Sequence, residues 1–297
     1  MNSGPKLLMR ESVGKAILMA PYLRRLLWRA GRSLYCLARG EQRHDDMHID
    51  GEIRLQSLMI GLNRDNPDFI AFDIGANQGD WTAALLSEAS VKLGPKGRLR
   101  AFAFEPVPST RSRLSSRLSA GVASTLVIEP MAVSDRLGQM KMVIMTESGG
   151  TNSLVFDKDM ERAAIGNVDV SLVTLDSYCA DNGIKAVAIV KCDTEGHDLA
   201  VMRGSEGLLK HGCIDLFQFE YNWRWIAARA FLKDVFELIE DKPYALGRVM
   251  PESVELFERW HPELERYYQS NFVLMHTRIL DRLNPRRGKF DKTNTYA

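Results

Sequence analysis

Residues 69–81 read FIAFDIGANQGDW, an apolar run that stops at an acid and two glycines. Phe69, Ile70, Ala71 and Phe72 have the aromatic and β-branched character of a strand buried on both faces. Trp81 to Glu88 then supplies good helix formers with apolar residues at helical spacing. The unit is strand, glycine loop, helix. It predicts an α/β protein whose central strand is buried and parallel to its neighbours.

The loop spacing is Asp73-x-Gly75-x-x-x-Gly79. Glycines here let a ligand approach the backbone, and the new helix presents free N–H groups to an anion. The dinucleotide fingerprint is G-x-G-x-x-G, so a nicotinamide-dependent oxidoreductase is disfavoured. An acidic strand end followed by G-x-x-x-G instead resembles motif I of the S-adenosylmethionine (SAM) methyltransferases.

Working outward, Arg98 to Phe104 alternates into a second strand that ends at Glu105-Pro106. A carboxylate at the end of the second strand suits the ribose hydroxyls of a nucleoside, and Pro106 stops the strand there. Ser109 to Leu118 reads as a helix and Thr125 to Glu129 as a third strand. The small residues around Ala132 and Val133 that follow would let an adenine ring slide against backbone. Lys141 to Met145 and Val168 to Thr174 read as strands on either side of a polar, glycine-rich loop, residues 147–153. That loop suits a substrate contact as well as a surface hairpin.

Ala186 to Cys192 is another buried-strand run, ending at Asp193-Thr194-Glu195-Gly196-His197-Asp198, with a helix over 199–210. Ligands of open α/β sheets lie beyond the carboxyl ends of the strands. Asp193, Glu195 and His197 are therefore expected to share a crevice with Gly75, Gly79 and Glu105. Ile214 to Glu220 adds a strand with Asn222 just beyond it, residues 224–240 a helix, and Tyr244 to Val249 and Asn271 to His276 the closing strands.

The chain has 297 residues, 45% of them hydrophobic and 26% charged, enough to bury a sizeable core. Its net charge of +1 gives no global attraction to nucleic acid. Charge is unevenly spread, however, because residues 1–40 carry eight basic side chains and only Glu11 as an acid. Residues 5–39 read as basic amphipathic helix, suited to an anionic membrane surface or to packing on protein. Residues 1–50 are thus an N-terminal extension and linker, 51–280 the main domain, and 281–297 a basic, flexible tail. Neither a membrane span nor a signal peptide is expected. Cys36, Cys179, Cys192 and Cys213 show no zinc or disulfide spacing, which fits a reducing cytosol, free or at the inner face of a membrane.

Taken in order, FDIGANQGDW, AFEP, AVSD, VTLDSY and KCDTEGHDLAVMRG are similar to the motifs of the FkbM family of SAM-dependent methyltransferases, over roughly residues 66–280. The resemblance implies a Rossmann-like class I methyltransferase fold, a mostly parallel twisted sheet with helices on both faces, with SAM as methyl donor and O-methylation of a hydroxyl on a sugar, a glycan or a related small molecule. Asp73, Gly75, Asn77 and Gly79 would then hold the methionine end of SAM, Glu105 and Pro106 the ribose edge, and Ala132, Val133 and Asp193 the remaining cofactor wall. Asp193, Glu195 and His197 are the candidate catalytic groups, with Asp193 first by position. Thr194 and His197 depart from the family, which often carries apolar residues there. Asp193, Glu220 and Asn222 offer hard oxygen ligands that would suit Mg²⁺, but no spacing fixes such a site and no metal is assigned. The alternative is a non-catalytic SAM-fold module that docks on a membrane-bound assembly through its basic N-terminus.

Overall fold

The computed structural model describes residues 20–41, 46–118, 126–146, 150 and 152–296. The chain divides into two compact units, Met1–Arg43 and His44–Ala297. The described part of the first is one helix, α1 (Pro21–Ala38), which opens on a proline at its first position. The expected helix before Pro21 lies outside the described residues.

In the second unit, α2 (Glu52–Leu62) precedes β1 (Phe69–Ile74), α3 (Asp80–Lys92) and β2 (Leu99–Phe104). All six residues of β1 are buried. Ile70, Phe72 and Ile74 enter one apolar cluster and Phe69 and Ala71 another, so the strand is covered on both faces as its composition requires. Next come α4 (Pro108–Leu118), β3 (Leu126–Glu129), β4 (Met131–Val133), β5 (Gly138–Ile144), α5 (Lys158–Ala163) and β6 (Gly166–Val173). They are followed by α6 (Leu175–Asp181), β7 (Val187–Cys192), α7 (Asp198–Arg203), α8 (Glu206–Lys210) and β8 (Ile214–Tyr221). The chain finishes with α9 (Arg224–Ala228), α10 (Leu232–Ile239), β9 (Tyr244–Val249), β10 (Val254–Phe257), β11 (Ser270–His276), α11 (Thr277–Leu283) and β12 (Arg286–Arg287).

Nine strands form the main sheet in the order β12-β10-β9-β11-β8-β7-β1-β2-β3. From β3 to β8 every pairing is parallel, whereas β11 runs antiparallel between β8 and β9. This is the expected α/β class I methyltransferase arrangement. The order reverses at β1, where β2 lies on one side and β7 on the other, so the carboxyl ends of β1, β2 and β7 open a crevice. A smaller sheet, β4-β6-β5, stands beside it.

Three expectations change. The helix expected over 199–210 is two helices, α7 and α8, because the backbone at Gly204 runs against Ser134, where a Cβ would lie 1.9 Å from a carbonyl oxygen. The helix expected over 224–240 breaks at Arg229, which is left-handed at φ 54°, and restarts where Asp234 accepts the backbone N–H of Phe231 at 2.8 Å. The tail beyond residue 280 is not frayed. β12 pairs with β10, the Tyr296 hydroxyl donates to the Leu256 carbonyl at 2.7 Å, and Phe290 stacks on His261 with ring centroids 4.2 Å apart. Aromatic residues in a basic, polar segment anchor it.

The expected linker also ends early. Asp50 is buried in the second unit and accepts the backbone N–H of Glu52 at 2.9 Å.

Candidate active site

Beyond the carboxyl ends of the central strands lies a cavity of about 480 Å³, within the range of small-molecule sites. Gly75, Asn77, Glu105 and Pro106 line one end, with Phe104, Val107, Ala132, Val133, Met142 and Leu154 as an apolar wall. Asp193, Thr194, Glu195, Glu220, Asn222, Trp223, Arg224 and Gln269 line the other.

The first end is shaped by backbone. Gly75 at φ 83° and Asn77 at φ 48° turn the chain off β1. A Cβ on Gly75 would lie 2.0 Å from the Asp193 carbonyl oxygen, so glycine is needed both for the turn and for the contact between the two strand ends. Glu105 accepts the N–H of Asn77 at 3.1 Å on one oxygen and of Val107 at 2.8 Å on the other. Arg111 clamps the same turn by donating to the Glu105 and Pro106 carbonyls. Each carboxylate oxygen keeps a further lone pair for a ligand hydroxyl. Burial pushes the Glu105 carboxyl up to about 7, against the pull of its backbone donors and Arg111.

Asp73 and Gly79 do not line the cavity. Asp73 is buried, accepts the Thr82 hydroxyl, and is pushed up to about 7 by burial, so it ties β1 to α3 from within. Gly79 starts α3 at φ 81°, and a Cβ there would strike Leu114 of α4. The packing of both residues is thus against the frame of the motif, on Thr82 and Leu114.

The second end is held by charge. Lys191, one residue inside the end of β7, is buried with Nζ 3.0 Å from Glu52 and 3.5 Å from Asp193. Burial opposes its charge, but the surrounding carboxylates outweigh it and hold the ammonium well above its ordinary range. Glu52 also accepts from Gln218 at 2.6 Å and from Asn271 at 3.0 Å, so the buried pair is fully bonded. The turn after Asp193 is wound tightly, with Glu195 at φ 55° and Gly196 at φ 100°. Asp198 holds it by accepting the N–H groups of Thr194 and Gly196.

Glu195 does not cap the following helix. Its carboxylate pairs with Arg224 Nε at 2.7 Å. Glu220 accepts the side-chain amides of Asn222 at 2.7 Å and Gln269 at 2.8 Å. Burial, then the charges of Asp193 and Glu195, push Glu220 well upward and favour its neutral form.

His197 is buried and is not part of the cavity wall. Its Nε2 lies 2.9 Å from the Ser134 hydroxyl, which itself lies 3.1 Å from Asp135. With Ser134 donating to Asp135, the tautomer that fits carries its proton on Nε2. Burial lowers the imidazole to about 4, so it stays neutral. The proximity expected from the sequence therefore holds for Asp193 and Glu195 but not for His197.

Cavity residues without a sequence signal include Met142 on β5, Leu154, Trp223 and Arg224, and Gln269, which enters only because β11 returns beside β8. Asn152, from the polar loop, lines the cavity, while Glu147, Ser148, Gly149 and Thr151 lie outside the described residues. Trp223, 53% exposed, also walls a second cleft of about 540 Å³ with Phe156 and Ile226.

The groups present fit an adenosyl cofactor. A carboxylate stands at the β2 edge, a glycine turn opens the adjoining end, and the buried Asn77 Oδ1 has no donor among the described residues. They do not fit Mg²⁺. Among the described residues no three His, Cys, Asp or Glu side chains come together to hold a metal ion, and both Glu220 oxygens are taken by amides.

The Methyltransferase FkbM domain matches residues 73–267. The methyltransferase FkbM from Methylobacillus flagellatus KT is 14% identical with a TM-score of 0.44, over 70% of this chain and 44% of that one. This chain therefore spans under half the length of that protein. An rRNA methylase from Streptococcus thermophilus is 11% identical at a TM-score of 0.39, covering 75% of this chain and 94% of its own. The magnesium protoporphyrin IX methyltransferase of Synechocystis PCC 6803, solved with bound SAM, is 10% identical at a TM-score of 0.37, covering 86% and 96%. No curated protein matches. The domain match spans about two thirds of the 297 residues, and the chain belongs to the FkbM methyltransferase family.

Proposed function

We propose that the chain is a SAM-dependent O-methyltransferase whose acceptor is a hydroxyl of a sugar, a glycan or a related small molecule. The observation that carries this reading is one cavity that joins the Gly75–Glu105 end to the Asp193–Glu220 end. SAM, when bound, supplies a methyl group already activated by the positive sulfonium. Gly75, Asn77, Glu105 and Pro106 would bind it, with the ribose hydroxyls donating to Glu105, and the Ala132–Val133 wall would take the base.

The protein's main task is alignment. The acceptor oxygen must approach the methyl carbon opposite the sulfur; as the new C–O bond forms, the C–S pair leaves with sulfur. Holding two reactants in line is worth about 7–11 kcal/mol. The hydroxyl proton must also leave, and Asp193 takes it, a contribution of about 10²–10⁴-fold. Lys191 fixes that carboxylate from below. The Glu195–Arg224 pair, Asn222 and Gln269 offer hydrogen bonds to neighbouring acceptor oxygens, and exposed Trp223 offers a ring face on which a sugar or other flat group can rest. Its position between two clefts supports an acceptor longer than one ring.

The test is labelled-methyl transfer from SAM to panels of sugars, glycans and phenolic or polyketide hydroxyls, with Asp193→Asn alongside. Transfer to a hydroxyl that the variant loses supports the reading. Transfer only to nitrogen or carbon sinks it.

A further inference from the structure

We infer that α1 docks the protein on an anionic lipid surface. At about 100° of turn per residue, Leu23, Leu26, Leu27, Leu34 and Leu37 fall in one arc roughly 100° wide. Arg25, Arg29 and Arg32 fall on the opposite side, with Trp28 beside them. No residue of α1 is buried; Leu34 and Leu37 are 67% and 68% exposed and Trp28 is 69% exposed. A lone helix cannot cover its own apolar arc. Nor can it cross a bilayer, since no helix among the described residues is long and apolar enough.

Charge decides between the two occupants that an amphipathic helix attracts. The helix has five leucines in its arc but no Asp or Glu, so two copies of α1 packed together would set arginine beside arginine with no acid in either helix to pair them. An anionic headgroup layer satisfies the whole pattern. Leucines enter the acyl boundary while the arginine stems reach back to the phosphates. Lys6, Arg10 and Lys15 precede the helix in the sequence and add to the same attraction. Methyl-transfer chemistry plays no part in this surface.

The experiment is co-sedimentation of the full chain with phosphatidylcholine vesicles, with and without phosphatidylglycerol, at low and high salt. Binding is expected only with the anionic lipid and should weaken as salt shortens the screening length. Replacing Arg25, Arg29 and Arg32 together by Gln should weaken binding on the order of a hundredfold. The L26E/L27E variant should abolish it. Thermal unfolding of each variant should match the parent, since these side chains are exposed. Absence of binding to the anionic vesicles, equal binding to both lipids, or an α1-dependent dimer that L26E/L27E converts to monomer would overturn the proposal.

Discussion

The two ends of the cavity are built by different means. At the β1–β2 end, a glycine turn and Glu105 are placed by backbone, within little more than thirty positions of sequence. At the β7–β8 end, Asp193, Glu195, Glu220 and Gln269 are placed by side-chain pairing with Lys191, Arg224 and Asn222, and the anchor Glu52 comes from α2. A site set by backbone tolerates little change of shape. A site set by paired charges depends instead on each charge keeping its partner.

The largest effect should come from Lys191→Met. It leaves Glu52 buried without its cation, and breaking such a pair costs about 3–5 kcal/mol. Denaturant unfolding measures this, and a loss below about 1 kcal/mol would show that charge does not hold the second end. Asp193→Asn should lower kcat by about 10²–10⁴-fold while SAM affinity, measured by calorimetry, stays unchanged. If both fall together, the two ends are not functionally separate.

Glu105→Gln should weaken SAM binding by about 1.5–3 kcal/mol with little effect on the second end. Its carboxyl sits near 7, so SAM affinity should fall as pH drops below that value. Stability of the SAM-free chain runs the other way. A carboxyl raised from 4.5 to about 7 by burial contributes stability that is complete below 4.5 and lost as pH rises through 7. Melting in the presence and absence of SAM across this window separates the two.

The smallest effect is expected from His197→Gln. The imidazole, lowered to about 4, contributes stability that is present above 6.5 and lost as pH falls through 4. It should set no limb of the rate profile between pH 5 and 8. The variant should keep the parent profile and lose about 1 kcal/mol of stability; a shifted limb would bring His197 back into the chemistry.

The same contrast explains what could be read from the sequence. Strand β1 was legible because burial on both faces leaves an apolar run, β7 because only Lys191 breaks a similar one, and β2 because its apolar residues alternate into such a run. Glu105 was legible because a proline stops its strand. Asp73 and Gly79 share a motif with Gly75, and their packing against Thr82 and Leu114 could not be read from it. His197 looked reactive because the spacing along a loop does not say which way a side chain turns. Gln269 was invisible, since it reaches Glu220 only through the antiparallel return of β11. Lys191 lies inside the run read as a buried strand, and a lone cation in such a run is itself a sign of a buried partner.

The close approach of Gly75 to the Asp193 carbonyl bears on how new specificities arise in this scaffold. The Gly75 turn and the 193–196 turn share one wall and must be inherited together. Diversification for new acceptors is therefore channelled to Trp223, whose exposed side chain can be exchanged without disturbing that shared wall, whereas Arg224 and Gln269 hold Glu195 and Glu220 in place.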